Sequence, residues 1–483
     1  MPKAYSEGGV ATEAQSILLI APWSPYGLVT EYPRLSLAYL AANLAKAGIP
    51  YDILDLNFYG KQWKETLGAR LRDHTHFGIT ATTGDMSTVP EMACFIKSNR
   101  PKGVVILGGV HATLRAQEVL EANPAIDYCF RGEAEEAIVK LMSRNVPSTI
   151  EGFCYRDHGQ IIVKDPVLLQ NLNGRPFPNY DKFELDRYYG NTRFARTVYI
   201  MTSRGCPYQC IYCSKGLGHK FRARNAEDVV AEMLYLKERY RVARLMFADD
   251  NFTLNLTRAK EICRLMITKK VNMPWIAAGG LRVDRLDDEL LQLMKKSGCG
   301  KIALGIESSS DRILAEYKKG TTRQLIVDSV RLIKKHNIRV AGYFLIGAPS
   351  ESREDILASM EFAKELDLDD VAWSILIPYP DTEIWQWIEA NDLWTVDDPL
   401  QATMESTTAT TAIYQTPLLS AQEKLKLFKM AKEDWARWQG GRNLRLRTKH
   451  WLIRHRGFFR VAKKIQVLYY GLYARTIMGH PWA

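Results

Sequence analysis

The chain has 483 residues, of which 46% are hydrophobic and 25% are charged, a composition typical of a globular protein with two or three domains. It contains no uncharged apolar run of about 18 residues, so no membrane-spanning helix is predicted, and the first 15 residues lack the apolar core of a signal peptide. We therefore expect a cytoplasmic protein. The net charge of +11 resides in residues 437–483, which hold 11 Lys and Arg and no Asp or Glu, and so indicates no basic surface over the whole molecule.

Residues 16–145 alternate between strand and helix patterns. Short apolar runs predict strands, and apolar residues at a period near 3.6 predict the helices between them. This order predicts an α/β fold with a doubly wound, Rossmann-like parallel sheet. Ligands of such sheets bind at the carboxyl ends of the strands, which we expect at residues 21–27, 80–85, 108–113 and 131–133.

The remaining chain divides into three segments. Residues 146–195 contain four prolines and weak strand character, which predicts a linker. Residues 196–400 form a second alternating series of six strands and intervening helices, which predicts a partial β/α barrel whose functional residues lie at the strand ends. Residues 401–483 are predicted to be mostly helical and to end in a basic, aromatic tail.

The tail mixes its cationic residues with large apolar ones, among them Trp451, Phe458 and Tyr469. This mixture is typical of an amphipathic helix on an anionic membrane surface, which would make the protein peripheral to a membrane and favour a lipid substrate. A packed helix pair with a solvated basic face is an open alternative. RNA binding is a third and the least favoured of the three.

Three of the eight cysteines form one cluster, Cys206, Cys210 and Cys213, with the spacing C-x3-C-x2-C. A 4Fe–4S cluster normally takes four thiolates. Three thiolates leave one iron free to bind a substrate, as the open position of a catalytic zinc does. A structural zinc site is the alternative, but such sites usually pair two CxxC units, and no second pair occurs here.

With Tyr212 just before its third cysteine, this segment resembles the signature of the radical S-adenosylmethionine (SAM) superfamily. Other segments of residues 196–390 match that family in order: FADDNF, LGIESSS and GYFLIGAPSES. The resemblance implies that Asp249 and Asp250 accept hydrogen bonds from the SAM ammonium group. It also implies roles for further residues, Glu307 and Ser308 facing the SAM ribose or carboxylate, and Gly347 lying beside the adenine. Turn capping by the two aspartates, and an ion pair of Glu307 with Arg282, are the structural alternatives.

The resemblance further implies the chemistry. The free iron chelates SAM, an external donor such as flavodoxin or ferredoxin supplies an electron, and the 5′-deoxyadenosyl radical that forms abstracts a hydrogen atom from the substrate. Metal ligation by the three cysteines is therefore also their catalytic role. A substrate that is a small molecule or a lipid is expected.

A doubly wound sheet directly before such a barrel resembles the cobalamin-binding radical SAM enzymes. The matching pieces lie at residues 34–57, 77–84, 104–113 and 127–135. No D-x-H-x-x-G motif occurs, so no histidine is predicted to replace the lower ligand of the corrinoid. The resemblance implies that the nucleotide tail of cobalamin would be lined by Thr82, Thr83, Gly108, Gly109 and His111, although His111 would serve equally as a loop-capping residue.

Three hypotheses follow. The first is a methyltransferase that uses a 4Fe–4S cluster, SAM and cobalamin for C-methylation of an unactivated carbon in a lipid, such as a hopanoid or other isoprenoid, or in secondary-metabolite biosynthesis. The second is a cobalamin-independent radical SAM enzyme that performs dehydration, cyclisation or C–C bond formation in the same kind of pathway. The third is a non-enzymatic Fe–S protein that binds RNA through its tail.

Overall fold

The computed structural model describes residues 15–24, 32–188, 191–192, 195–214, 216–406 and 411–442. Most of the predicted basic tail and part of the first predicted ligand loop lie outside these residues. No helix in the described part of the chain is long and apolar enough to cross a membrane. The described chain contains two large sheets, each built mainly of parallel strands.

The N-terminal sheet has seven strands, which are β1 Ile17–Ala21, β2 Tyr51–Asp55, β3 His76–Thr80, β4 Val104–Gly108, β5 Tyr128–Phe130, β6 Phe153–Asp157 and β7 Gln160–Ile162. Their order is β2-β1-β3-β4-β5-β6-β7. The first five strands are parallel and alternate with five helices, α1 Leu35–Lys46, α2 Trp63–Arg70, α3 Val89–Asn99, α4 Val110–Ala122 and α5 Ala137–Met142. The predicted doubly wound sheet is confirmed.

Both faces of this sheet are covered, as a parallel sheet requires. All five residues of β1 are buried, and successive side chains point to opposite faces. Leu18 and Ile20 belong to one apolar cluster, whereas Ile17 and Leu19 belong to the other. Strands β6 and β7 pair antiparallel with the sheet, so part of the segment predicted as a linker extends the N-terminal sheet.

The turn from β4 into α4 is shorter than the strand-end loop that we expected at residues 108–113. Gly109 has a φ of 100°, and a Cβ there would lie 2.4 Å from the carbonyl oxygen of Ala81. Only glycine fits this close approach, and it lets the chain pass directly from β4 into α4. The placement of His111 in a loop is therefore wrong, because His111 lies in the first turn of α4 and is buried.

The second sheet is a partial barrel. Between its first two strands, the chain forms β9 Ser203–Arg204 and β10 Arg222–Ala223, which pair with each other as a small separate sheet. The strands of the partial barrel are β8 Arg196–Ile200, β11 Val242–Phe247, β12 Trp275–Leu281, β13 Cys299–Glu307, β14 Arg339–Ile346 and β15 Asp370–Ile375. They lie side by side in chain order and are all parallel. The prediction of six parallel strands in a partial barrel is confirmed.

From β10 onward, the described residues form nine helices in chain order: α6 Ala226–Tyr240, α7 Leu256–Thr268, α8 Asp288–Lys296, α9 Asp311–Glu316, α10 Arg323–Lys335, α11 Arg353–Glu365, α12 Glu383–Ala390, α13 Pro399–Glu405 and α14 Ala421–Arg442. Side-chain caps begin several of them, including Asn225, Asn255 and Asp287. Such caps satisfy the free N–H groups of a first helical turn, and they place the helix starts close to the strand ends.

Candidate cofactor site between the two sheets

The three clustered cysteines lie in the loop that follows β9. The preceding residue, Gly205, has a φ of 82°, and a Cβ there would lie 2.3 Å from the carbonyl oxygen of Lys220. The N–H of Cys206 donates to the Gly218 carbonyl at 3.2 Å, and the N–H of Cys213 donates to the Cys210 carbonyl at 3.1 Å. Backbone contacts therefore shape this cysteine loop, and the Cys213 thiol donates to the Ser214 carbonyl at 3.7 Å.

The three thiols are accessible ligands. Cys206 and Cys210 are partly exposed and Cys213 is exposed, whereas Cys263 and Cys299 of the same barrel are buried. Among the residues that the structure describes, no three His, Cys, Asp or Glu side chains group closely enough to hold one metal ion. A 4Fe–4S cluster binds each thiolate through a different iron, and three accessible thiols in one short loop are a donor set that fits it.

Asp249 and Asp250, at the end of β11, hold the residues that lead into the cysteine loop. Asp249 is buried and accepts from the Thr202 N–H at 2.6 Å, the Thr202 hydroxyl at 2.5 Å and the Ser203 hydroxyl at 2.6 Å. Burial raises the pKa of Asp249 even though Arg258 and these hydrogen bonds oppose the shift. The carboxylate of Asp250 accepts from the Gly205 N–H at 3.0 Å. The predicted contact of both aspartates with SAM stays a prediction.

Glu307 joins the end of β13 to the cysteine loop. Its carboxylate pairs with Lys319 Nζ at 2.7 Å and accepts from the Tyr212 hydroxyl at 3.1 Å. The suggested ion pair with Arg282 is wrong, because Arg282 pairs with Asp284 at 2.8 Å. Burial, followed by the nearby Glu307 carboxylate, raises the pKa of Tyr212 well above its usual value. Tyr212 therefore stays protonated and donates to Glu307.

Ser308 and Gly347 lie at the ends of β13 and β14. Ser308 is fully buried, and its hydroxyl accepts from the Ser310 N–H at 3.2 Å. The Gly347 N–H donates to Glu351 Oε2 at 2.6 Å, and its carbonyl accepts from the Tyr414 hydroxyl at 2.6 Å. Sequence reasoning did not identify Glu351 or Tyr414, which flank the predicted SAM-binding glycine.

The carboxyl edge of the N-terminal sheet combines fixed polar groups with open space. The Thr82 hydroxyl donates to Asp85 Oδ2 at 2.9 Å, and the Thr83 hydroxyl lies 3.3 Å from His111 Nδ1. Burial lowers the pKa of His111 to about 4, so this imidazole is neutral near pH 7. A Cβ added at Gly108 would meet nothing within 4 Å. We call this open space at Gly108 the cradle, and it leaves room for a large ligand such as the tail of cobalamin.

The two strand-end edges meet directly. A Cβ at Gly216, just after the cysteine loop, would lie 2.3 Å from Val110 Cγ2 at the start of α4. Arg204, which precedes the loop, pairs with Glu133 at 3.1 Å and Glu135 at 2.8 Å in the N-terminal part. Burial opposes the shift, but the two glutamates raise the pKa of Arg204 above its usual value. The cysteine loop therefore packs against the edge that carries the open cradle.

Two family models match the chain. The model described as "Radical SAM superfamily" matches residues 200–363, and the model described as "B12 binding domain" matches residues 28–142. An uncharacterized methyltransferase of Pyrococcus horikoshii is 33% identical over 395 residues, which are 79% of this chain and 84% of that protein. An anaerobic magnesium-protoporphyrin IX monomethyl ester cyclase of Synechocystis sp. is 25% identical over 72% of this chain and 71% of that protein.

A solved structure has the same fold. It is the radical S-adenosylmethionine methyltransferase TsrM from Kitasatospora setae, with cobalamin and a 4Fe–4S cluster bound, which superposes with a TM-score of 0.70 at 19% identity and covers 88% of this chain and 89% of that chain.

The chain belongs to the radical SAM superfamily, and it carries a B12-binding domain before its radical SAM domain. It is therefore an enzyme, and the non-enzymatic hypothesis is set aside. The family predicted from the cysteine motif and the doubly wound sheet is confirmed.

Proposed function

We propose that this protein is a cobalamin-dependent radical SAM methyltransferase that methylates an unactivated carbon. The observation that carries the proposal is the contact of the cysteine loop with the open edge at Gly108, through Gly216 and Val110. A methyl carrier held at that edge would lie beside the site at which the radical is made. The relative from Pyrococcus horikoshii, which is named a methyltransferase, supports the same reaction class.

Three sets of residues would hold the cofactors. Cys206, Cys210 and Cys213 would bind a 4Fe–4S cluster, whereas SAM would lie over the strand ends at Asp249, Asp250, Glu307, Ser308 and Gly347. Thr82, Thr83, Gly108, Gly109 and His111 would surround the cobalamin tail. When bound, the cluster supplies an electron, taken from a donor such as flavodoxin or ferredoxin, that cleaves SAM to a radical, and cobalamin supplies the methyl group.

The concave face of the barrel supports an uncharged, apolar substrate. Tyr343 is 36% exposed, and its hydroxyl donates to the Ala278 carbonyl at 3.2 Å, two strands away. Its ring therefore crosses the concave face beside Gly280 and presents a fixed aromatic surface. Half-buried, uncharged side chains share this face: Tyr199, Met246 and Ile276. At the start of β13 and β14 the same face also carries Lys301 and Arg339, whose charges are paired with Asp370 at 2.9 and 3.3 Å. A hopanoid or other isoprenoid lipid, or an apolar secondary metabolite, suits such a lining.

The substrate class is tested with SAM that is isotopically labelled in its methyl group. The reduced enzyme is incubated with this SAM and an extract of the source organism, and the products are partitioned between an organic and an aqueous phase. Label in apolar products of the organic phase supports the proposed class. Label only in charged, water-soluble products would contradict it.

The reaction type is tested on protein that is produced with a cobalamin supply and reconstituted anaerobically with iron and sulfide. We expect corrinoid absorption bands together with the broad absorption of a 4Fe–4S cluster. After reduction with dithionite, we expect SAM to yield both 5′-deoxyadenosine and S-adenosylhomocysteine. Absence of both products would contradict the proposal as a whole.

The relative named a cyclase favours one second candidate, a radical SAM enzyme that forms a ring. The same experiment separates the two candidates. Formation of 5′-deoxyadenosine without S-adenosylhomocysteine would favour the cyclase.

The basic tail is proposed to bring the enzyme to an anionic membrane surface. Its support is the sequence of residues 437–483, which contains only positive charges among large apolar residues. Binding to vesicles rich in phosphatidylserine should weaken with salt and disappear when residues 443–483 are deleted. Equal binding by the full and shortened chains would contradict this proposal.

A further inference from the structure

The segment formed by residues 411–442 reaches the predicted SAM site from outside the radical SAM match, which covers residues 200–363. Helix α14 packs on the barrel through the apolar residues Leu427, Phe428 and Ala431. Just before the helix, Tyr414 is fully buried, and its hydroxyl donates to the Gly347 carbonyl at 2.6 Å. The C-terminal segment therefore contacts the backbone at the end of β14.

Gly347 cannot move away from this contact without cost. Its φ is 126°, and a Cβ at this position would lie 2.4 Å from the Tyr414 hydroxyl oxygen. On the other side, Glu351 Oε2 accepts from the Gly347 N–H at 2.6 Å. Both polar groups of this residue are thus held by side chains, one from the barrel and one from the C-terminal segment.

Lys424, in the first turns of α14, holds Tyr414 in turn. Its ammonium group donates to the Tyr414 carbonyl at 3.1 Å and lies 3.3 Å from the centre of the Tyr414 ring. Lys424 is fully buried, and within the described ranges no carboxylate oxygen lies within 4.0 Å of its nitrogen. Burial lowers the pKa of Lys424 to about 7.

A buried lysine without a close carboxylate is costly. Packing alone does not account for it, because methionine has a similar length and carries no charge. The contacts that Lys424 makes to the ring and the carbonyl of Tyr414 give the lysine a specific function, which is to fix the position of that tyrosine.

We propose that Tyr414 and Lys424 are positioning residues for SAM, because they fix the backbone of Gly347 from the C-terminal segment. The inference rests on the proposed function, in which Gly347 lies beside the adenine. Neither residue touches the reacting atoms. They hold the end of β14 in the one conformation that leaves room for the nucleoside.

The test uses the full-length, cluster-loaded enzyme and follows 5′-deoxyadenosine formation under dithionite without substrate. Tyr414→Phe removes one hydrogen bond and should raise the KM for SAM about threefold to tenfold, with kcat changed less than about twofold. The matched control is Tyr155→Phe on β6, far from the barrel mouth, which should leave both constants unchanged. An unchanged KM in Tyr414→Phe would overturn the proposal, as would loss of the cluster absorption.

Lys424→Met separates positioning from stability. Replacing a buried charge with an apolar side chain of similar length is often neutral or stabilising, so we expect an equal or higher melting temperature together with a raised KM for SAM. A merely structural role would move the two readouts together, and that result would overturn the proposal. Wild-type enzyme that makes no 5′-deoxyadenosine would contradict the proposed function itself, which is a distinguishable failure.

A double variant gives a third readout. Gly347→Ala should raise the KM strongly, because its Cβ collides with the Tyr414 hydroxyl and because alanine is strained at a φ of 126°. Adding Tyr414→Phe removes that oxygen, so the double variant should bind SAM better than Gly347→Ala alone. Strict additivity of the two single effects would contradict direct contact between the residues.

Discussion

The two strand-end edges that face each other are built in opposite ways. At the barrel edge, hydrogen bonds from side chains fix the structure. Asp249 and Asp250 bond to the residues that lead into the cysteine loop, and the bond between Glu307 and Tyr212 connects that loop to β13. At the N-terminal edge, glycines without side chains determine the shape. Gly109 allows the chain to turn at once into α4, and Gly108 leaves open space. The barrel edge therefore supplies side chains that can bind a cofactor, whereas the N-terminal edge supplies open space for one.

This difference explains why one cofactor is easier to infer than the other. A cluster needs thiolates, and thiolates at fixed spacing are visible in a sequence. A corrinoid tail that binds without a histidine ligand needs a cavity. In the sequence, such a cavity is indicated only by glycines and other small residues. Single substitutions should therefore be able to disrupt each edge separately.

Loss of a cluster ligand should have the largest effect. Cys206→Ala removes one of three thiolates, so 5′-deoxyadenosine formation should fall by at least about 10³-fold, while cobalamin still binds. Cluster absorption and product formation are measured after anaerobic reconstitution. The matched control is Cys263→Ala, a buried thiol, which should keep the cluster. Full activity in Cys206→Ala would contradict the assigned ligand set.

A side chain in the cradle should weaken cobalamin binding at the N-terminal edge and leave the cluster site at the barrel edge intact. Gly108→Leu places a side chain in the open space, and overpacking of about 1–3 kcal/mol corresponds to an increase of about 5- to 150-fold in the Kd for cobalamin. Equilibrium dialysis with hydroxocobalamin measures this constant. Gly300→Leu, also at an open position, is the control and should leave the Kd unchanged. Normal cobalamin binding by Gly108→Leu would place the corrinoid elsewhere.

The buried ion pairs between the two edges should stabilise the folded protein more than the exposed pair of Arg115 with Asp381. Arg204→Gln leaves Glu135 without its cation and should lower the free energy of unfolding by about 3 kcal/mol. Arg115→Gln breaks a 3.6 Å pair with Asp381, a residue whose side chain is 54% exposed, and should cost less than about 1 kcal/mol. Urea denaturation of both variants makes the comparison. Equal losses would contradict an interface held mainly by buried charge.

Glu351 should change the pH dependence of the stability. Burial raises its pKa from 4.5 to about 8, so its contribution to stability is full below pH 4.5 and is lost as the pH rises to about 8. Of the groups that face it, Lys424 changes charge on folding only above about pH 7. Tyr317 and Tyr414 have raised pKa values, and the pKa of Asp355 is lowered, so none of the three titrates near neutrality.

Between pH 5 and 7, the wild type should therefore lose about 2–3 kcal/mol of stability that Glu351→Gln retains. Chemical denaturation of both proteins at the two pH values measures the difference. Parallel pH profiles would show that Glu351 is ionised in the folded protein and would contradict the account of its burial.

Local patterns in the sequence predicted most of the fold. Apolar runs and 3.6-residue periods predicted the strands of both parallel series, because each strand is buried over most of its length. The cysteine spacing predicted the superfamily. Strands β6 and β7 lie in the segment that was predicted as a linker with weak strand character. They are short, and only the first two residues of β6 are fully buried, so they lacked the pattern of a buried strand.

Partners that are distant in sequence could not be predicted. Glu307 pairs with Lys319 and not with Arg282, since the pair depends on how the chain after β13 folds back. Tyr414 reaches Gly347 across 67 positions, and Arg204 reaches Glu135 across the boundary between the two sheets. Such contacts follow from packing, and no spacing rule in the sequence encodes them.

The central claim is that the cluster and cobalamin lie on facing edges of one chain. Electron paramagnetic resonance of enzyme loaded with both, with the cluster reduced and cobalt in its paramagnetic divalent state, tests it most directly. We predict a spin–spin interaction that broadens both signals and disappears in Cys206→Ala and in Gly108→Leu. A doubly loaded spectrum equal to the sum of the two singly loaded spectra would contradict the account.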